Sequence, residues 1–522
     1  MTTDRKHIKV TYSSLGSPDP LLHDYYEEDV TTARANLGGT YPMYINGEWR
    51  DGEKTFAKYS PIDTNLVIGH FSHGSRQDVD DAVAAAKAAY PTWRDTPWLE
   101  RLSYLRRVAD LISERLFQMA AVVSLEVGKN RLEAIGEVEE TADLIRYCIQ
   151  AMEENDGFIK QLASETEKHH NRSVLKPYGV WGVISPFNFP CALSGGPAGA
   201  ALIAGNTVVH KPADDAPLTA VLLAQCFHDA GLPPGVYNMV TGGDEPGKAL
   251  VANNDIDGIT FTGSYDVGMS ILRKFSTQTG YMRPVIAEMG GKNPVIITKN
   301  ANLEKAAYGV MRSAFGLTGQ KCSACSRVYV DNEVKEVFTQ ILVDITEKIK
   351  VGDPTERETF MGPIINGTAY RAYRRYAREL ADQGDVLTGG TTLEIGDGYY
   401  VAPTVVDNLP DNHALWTEEM FAPIVVLGGY DDIDEAMKKA NHIDLGLTAG
   451  FYSEDKAEID WFLSHIEAGV VYVNRESGAT TGAWPGYQAF GGWKGSTGSG
   501  KAAGSYYYLQ QYMREQSHTI VD

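Results

Sequence analysis

Long apolar runs are missing from this chain. No stretch approaches the roughly 18 consecutive apolar residues that a membrane-spanning helix needs. The polar start, MTTDRKHIKV, leads into no apolar core of a secretory signal, so a cytoplasmic protein is expected. Basic residues are in deficit: 47 Lys and Arg stand against 68 Asp and Glu, a net charge of −21. Such a surface repels phosphate backbones and argues against nucleic acid as a partner. Cysteine is scarce as well. Cys148, Cys191, Cys226, Cys322 and Cys325 are too few and too scattered for a disulfide framework.

Two of the five form a C-x-x-C pair in GLTGQKCSACSR (316–327). A structural zinc site needs four ligands, yet there is no second pair, and no histidine lies within 80 residues. No metal site is therefore expected. A thioredoxin-like pair opens a helix after a strand. Here NLEKAAYGVMRSAFGLTGQ reads as an amphipathic helix running into a glycine break, and SRVYVDN reads as the strand beyond it. A cysteine in such a loop is a candidate nucleophile.

What the chain does contain is alternation. Residues 1–40 read as a polar, irregular arm. Ser75 and Asp78 have the spacing of a capping box, opening a helix with Val79, Val83, Ala86 and Tyr90 on one face. Helical stretches follow near 99–124 and 130–154. Short apolar strands then alternate with helices: VWGVIS, NTVVHK, VYNMVTG and GITFTGS first, then PVIAEM, NPVIIT, SRVYV, APTVV and PIVVLGGY. This is the pattern of two α/β layers with parallel sheets covered on both faces. FTGSYDVG (261–268) has the strand–turn–helix form that presents free N–H groups to a phosphate. GSTGSGKA (495–502) nearly spells a phosphate loop, but Ala502 stands where the metal-binding hydroxyl belongs, so no nucleoside triphosphate site is expected there.

SPFNFP (185–190), KPAD (211–214), FTGS (261–264), EMGGKNP (288–294), GQKCSACSR (319–327), EEMFAPI (418–424) and NR…FGGWKGS (474–496) occur in this order. Together they resemble the aldehyde dehydrogenase superfamily over roughly residues 40–515. The resemblance implies an α/β chain with a Rossmann-type cofactor domain (41–155 and 173–287) and an α/β catalytic domain (288–496). It also implies a β-hairpin and C-terminal-strand oligomerisation arm (156–172 and 497–522), after an N-terminal extension (1–40). The implied reaction is NAD(P)-dependent oxidation of an aldehyde to a carboxylate through a cysteine thioester, in a homodimer or a dimer-based oligomer. Cys322 takes the nucleophile's place, Glu288 the general base's, and Asn188 with the Cys322 backbone N–H the oxyanion donors'. The cofactor would meet Ser185, Lys211, Asp214, Gly243, Gly247, Ser264, Glu419 and Phe421. A carboxylate at Asp214 would bond ribose hydroxyls and repel a 2′-phosphate, so NAD is expected, with NADP left open. Cys325 reads as a small buried bystander.

GQKCSACSR and EVGKNRLEAIGEVEETADLIRY (126–147) look most like the 1-pyrroline-5-carboxylate (L-glutamate γ-semialdehyde) dehydrogenases. There, a serine after the nucleophile and a Thr-Gly-Ala turn hold the substrate's α-carboxylate. Ser323 and Thr481-Gly482-Ala483 occupy those places. The chain departs from that pattern in about three extra residues within ESGAT, in Trp484-Pro485 where aliphatic residues are usual, and in Ala489 where proline is usual. All three fall in or beside the loop that selects the substrate. An aromatic or longer-chain aldehyde stays open at this point, and beyond it a non-catalytic relative.

Overall fold

The computed structural model describes residues 8–11, 14–16, 18–476 and 484–522. Residues 20–35, expected to be irregular, form a helix instead, α1 (Pro20–Ala35). Asp19 caps its first turn and Pro20 starts it, while Leu22, Tyr26 and Val30 recur every fourth residue as a buried stripe. The predicted capping box is formed: Ser75 and Asp78 exchange hydrogen bonds at the start of α2 (Arg76–Asp95). Three helices follow: α3 (Trp98–Glu114), α4 (Leu116–Val127) and α5 (Arg131–Glu154). Gly128 ends α4 in the left-handed region (φ 83°). A Cβ there would lie 2.9 Å from Pro363 Cγ, so both backbone and space demand glycine.

The first of two large sheets runs, edge to edge, Val285–Glu288, Gly258–Thr262, Val180–Ile184, Thr207–Lys211, Tyr237–Met239, Met43–Ile45, Glu48–Arg50. Its first five strands are parallel. Chain order reverses at Val180–Ile184, whose neighbours are Thr207–Lys211 on one side and Gly258–Thr262 on the other. Such a reversal opens a crevice at the carboxyl ends of the strands, where ligands bind. The crossovers are α6 (Ala192–Ala204), α7 (Pro217–Asp229), α8 (Asp244–Ala252) and α9 (Tyr265–Thr277).

The second sheet runs Asp385–Thr388, Thr404–Asp407, Ile424–Tyr430, Cys325–Asp331, Asn293–Ile297, Thr448–Tyr452, Val470–Val473. It is parallel except for its first pair. Around it pack α10 (Leu303–Phe315), α11 (Lys335–Thr346) and α12 (Gly367–Gln383). Asn293–Ile297 and Thr448–Tyr452 are buried on both faces, which explains their continuous apolar runs.

A separate three-stranded sheet joins Ile159–Gln161, His169–Pro177 and Met513–Val521. Of the tail expected as the arm strand (505–521), only Met513–Val521 is strand; the tyrosine-rich stretch before it is turn and 3₁₀-helix. Tyr508 and Tyr512 are buried there with their hydroxyls 2.8 Å apart, and Tyr512 reaches the Thr260 hydroxyl. Core burial of those rings wins over their β propensity, and the more polar MREQSHTIV forms the strand. Among the described residues no helix is long and apolar enough to cross a membrane.

Candidate active site

The nucleophile loop leaves α10 through a tight 3₁₀ turn, Gly316–Gly319, in which Leu317 (φ 45°) and Thr318 (φ 57°) take left-handed backbone. Such strain persists only where the surroundings over-determine it. Here the Leu317 N–H donates to Glu133 Oε2 of α5 at 3.0 Å, and the Thr318 hydroxyl donates to the Gly362 carbonyl at 3.0 Å. Cys322 follows, half-buried. Asn293 fixes the turn around it, donating from Nδ2 to the Cys322 carbonyl at 2.8 Å and to the Ala324 carbonyl at 2.9 Å. A Cβ on Gly291 would lie 2.2 Å from the Cys322 carbonyl oxygen, so only glycine lets the EMGG segment close over the loop.

Glu288 ends the strand Val285–Glu288 and faces this loop. Its Oε1 accepts from the Thr497 hydroxyl at 2.9 Å, and its buried Oε2 has no hydrogen-bond partner among the described residues. Burial pushes the carboxyl up to about 8, which makes an oxygen poised to take a proton near neutral pH. Burial likewise pushes the Cys322 thiol up to about 12, and the Glu419 and Glu288 carboxylates add to the shift. Its own backbone N–H and the Ser323 hydroxyl offset part of that. The Ser323 side chain is thus turned toward the sulfur. Asn188, buried in the loop after Val180–Ile184, donates from Nδ2 to the Gln320 carbonyl at 3.0 Å. The amide has a second N–H to offer. Sequence reasoning therefore named Cys322, Glu288 and Asn188, and the fold brings all three to one place.

Cys325 is separate. It opens the strand Cys325–Asp331, lies in the core under α10, and its thiol donates to the Arg327 carbonyl at 3.7 Å. All five cysteines are free.

At the crevice, α8 and α9 both start without a side-chain cap. Gly243 and Ser264 are their cap residues, leaving first-turn N–H groups for an anion. Lys211, Asp214, Gly243 and Gly247 converge there: a Cβ on Gly243 would sit 3.5 Å from Asp214 Oδ2, and one on Gly247 3.9 Å from Lys211 Cδ. Burial lowers the Lys211 ammonium, which Asp214, Asp244 and Asp215 pull back toward its charged form. The Ser185 hydroxyl is committed elsewhere, in a buried relay running from Ser194 through Ser185 to His210 and Tyr237.

Glu419 accepts from the Gly291 N–H at 2.9 Å and is pushed up to about 7 by burial. Phe421 (φ 50°) turns its ring edge-on to Phe187, with centroids 6.0 Å apart. The arrangement fits a dinucleotide: helix N-termini for the pyrophosphate, carboxylates for the ribose hydroxyls, and glycines where side chains would intrude.

Sequence reasoning missed the supports. Lys129 and Glu137 form a fully buried ion pair at 2.5 Å. Glu137 Oε1 accepts from the Cys191 N–H at 2.8 Å at the start of α6, and the Lys129 ammonium lies 3.6 Å from the Phe189 ring centre. One turn earlier on α5, Glu133 holds Leu317 and pairs with Lys321 at 2.5 Å. Burial would raise Glu133, but Lys321 brings its carboxyl below the ordinary value. One helix therefore holds both the Asn188 loop and the Cys322 loop. The acids stood in the sequence at a spacing of four, but nothing there shows them inside the protein. Lys292 was also missed; it is buried without a hydrogen-bond partner among the described residues, and burial and Arg327 push its ammonium down to about 7. Thr481, Gly482 and Ala483 lie outside the described residues. Trp484, beside them, is buried, and its indole N–H donates to Asp143 of α5 at 2.9 Å.

Fold and site together define a two-sheet α/β protein whose cysteine, carboxylate and amide meet beside a dinucleotide-type crevice. The aldehyde dehydrogenase family model matches residues 49–518, and the chain belongs to that family. It is 36% identical to the 1-pyrroline-5-carboxylate dehydrogenase of Staphylococcus epidermidis over 94% of this chain and 95% of that one. It is also 36% identical to the α-ketoglutaric semialdehyde dehydrogenase of Bacillus subtilis, over 89% of this chain and 95% of that one. The structure of a Thermus 1-pyrroline-5-carboxylate dehydrogenase with bound NAD superposes with a TM-score of 0.94 at 31% identity, covering 100% of both chains.

Proposed function

We propose that this protein oxidises L-glutamate γ-semialdehyde, the open form of 1-pyrroline-5-carboxylate, to glutamate with NAD as hydride acceptor. The observation that carries the reading is the meeting of Cys322, a raised-pKa Glu288 and the Asn188 amide in a chain 36% identical to 1-pyrroline-5-carboxylate dehydrogenases over nearly its full length.

The roles follow from chemistry. The Cys322 sulfur bonds to the aldehyde carbon, with Glu288 accepting the thiol proton. Asn188 and the Cys322 N–H stabilise the oxyanion; losing one such donor typically costs about 3–4 kcal/mol of barrier. A nicotinamide held by Glu419 and Phe421 would supply the hydride acceptor. A thioester on Cys322 remains; Glu288, after giving up the thiol proton to solvent, takes a proton from the water that attacks it, and that proton returns to the departing Cys322 sulfur. Lys211 and Asp214 suit the adenosine ribose, and Asp214 favours NAD over NADP. Gly243, Gly247 and Ser264 suit the pyrophosphate, Glu419 the nicotinamide ribose, and Phe421 and the Ser185 backbone the cofactor's walls. Ser323, Gly482 and Ala483 are the proposed carboxylate anchor.

Residues 41–155 and 173–287 would act as the cofactor domain and 288–496 as the catalytic domain. The sheet of 156–172 with the C-terminal segment would pair subunits in a homodimer in the cytoplasm. That sheet leaves Ile159, Leu162, Ile520 and Val521 exposed, which supports a partner over it.

The test is NADH production with 1-pyrroline-5-carboxylate beside α-ketoglutarate semialdehyde, succinate semialdehyde, hexanal and benzaldehyde. A preference of about a hundredfold in kcat/KM for the pyrroline compound is expected. The Bacillus subtilis relative makes α-ketoglutarate semialdehyde the second reading, and a preference for it would replace the first.

A further inference from the structure

In a chain of net charge −21, four exposed arginines with no ion pair among the described residues share one helix. Tyr373, Ala377 and Leu380 bury the inner face of α12. Arg371, Arg374, Arg375 and Arg378 stand on its outer face at i, i+3, i+4 and i+7, all exposed. Elsewhere arginine is usually matched by acid, as in Arg50 with Asp78 and Asp81, Arg146 with Glu139 and Asp143, and Arg357 with Asp24 and Glu27. The four on α12 have no carboxylate partner among the described residues. Arg371 bonds only the Thr368 hydroxyl at 3.0 Å, and Arg375 lies over the Tyr376 ring at 4.8 Å. Glu379, on the same helix, lies 3.5 Å from His413 Nε2. The arginines line an open cavity of about 500 Å³ together with Glu379, Asp382 and Gln383.

Like charges at these spacings destabilise a helix; of the two acids in the lining, Glu379 lies against His413, and Asp382 makes no ion pair with the arginines. We propose that the outer face of α12 is a binding site for a small polyanion carrying two or more phosphate or carboxylate groups. Planar guanidinium forks match such groups bidentately. The overall negative field repels a long polyanion, whereas a small one meets only the local positive potential.

The place of α12 gives the site reach. Asn366, its cap residue, donates to Asp215 Oδ2 at 2.8 Å, next to Asp214 at the cofactor crevice. The preceding Ile365 N–H donates to Gln320 Oε1 at 3.0 Å, and the Gln320 carbonyl holds Asn188. An anion on α12 therefore sits on an element fixed at one end to both the cofactor loop and the nucleophile loop.

Isothermal titration of the whole protein with inorganic tripolyphosphate, at low salt and with saturating NAD present, tests the site. Saturable binding is expected, weakened about tenfold or more in R374A/R378A. NADH production without the anion should be unchanged in that variant. Citrate in place of tripolyphosphate separates carboxylate from phosphate preference, and saturable binding of either supports the site. No saturable binding of either anion, or binding equally tight in the double variant, overturns it.

Discussion

Two cysteines three residues apart have opposite fates. Cys322 is half-buried in the loop after Gly316–Gly319, while the Cys325 thiol is spent on a backbone carbonyl in the core. Cys322→Ala should abolish NAD-dependent oxidation, and Cys325→Ala should keep most of it; steady-state NADH assays on both variants check this. Glu288 gives a pH signature. Only its deprotonated form can accept a proton from water, so thioester hydrolysis should rise as pH climbs through about 8 and then level. Single-turnover acyl release across pH measures it, and E288Q should lose the rise. Stability runs the other way. The folded carboxyl binds its proton more tightly than the ordinary 4.5, so its contribution is full below that value and lost as pH rises through about 8. E288Q should therefore melt higher than the parent above pH 8.

At the scale of elements, α5 is the bar against which the site is aligned. Glu133 and Glu137 are one turn apart, one bound to the nucleophile loop and the other to the start of α6 beside Asn188. Removing one partner of a buried pair leaves an uncompensated charge, at a cost of about 3–5 kcal/mol. K129M and E137Q should each lower stability by about that amount in denaturant melts. The double change K129M/E137M should recover much of it, because apolar residues of similar size replace buried pairs well. Its kcat should stay depressed with KM little changed, since the Asn188 loop has lost its anchor; a normal kcat would remove α5 from the alignment of the site.

At the scale of the whole molecule, the C-terminal strand Met513–Val521 pairs along its full length with His169–Pro177 of its own chain. Deleting residues 513–522 would bare that edge and strip the exposed arm sheet of one of its three strands. With the subunit pairing proposed above, the truncated protein should fall to monomer or aggregate, as light scattering coupled to gel filtration would show. Chain-spanning ties also explain why the N-terminal helix escaped notice. Tyr26 donates to the Ser124 hydroxyl, and Glu27 is held by Arg357 and Arg131, which bring its carboxyl down to about 2. Each partner lies about a hundred residues or more away along the chain.

The sequence by itself determined the two alternating α/β layers, because strands buried on both faces must be continuously apolar and helices must cover them. It singled out Cys322, Glu288 and Asn188 as candidates, because nucleophile, base and oxyanion donor admit few residue types and each stood in a motif. It did not determine which charges go inside. Glu133, Glu137 and Lys129 look like a solvated helix face until the fold supplies their partners, Leu317, Cys191 and Phe189, on other elements. Nor did it separate the buried tyrosines 508 and 512 from strand residues, since an aromatic ring satisfies either role and only the packing around Thr260 and Trp181 selects one. Local pattern fixes what neighbours along the chain can enforce; the pairing of distant polar groups is decided only when the chain closes on itself.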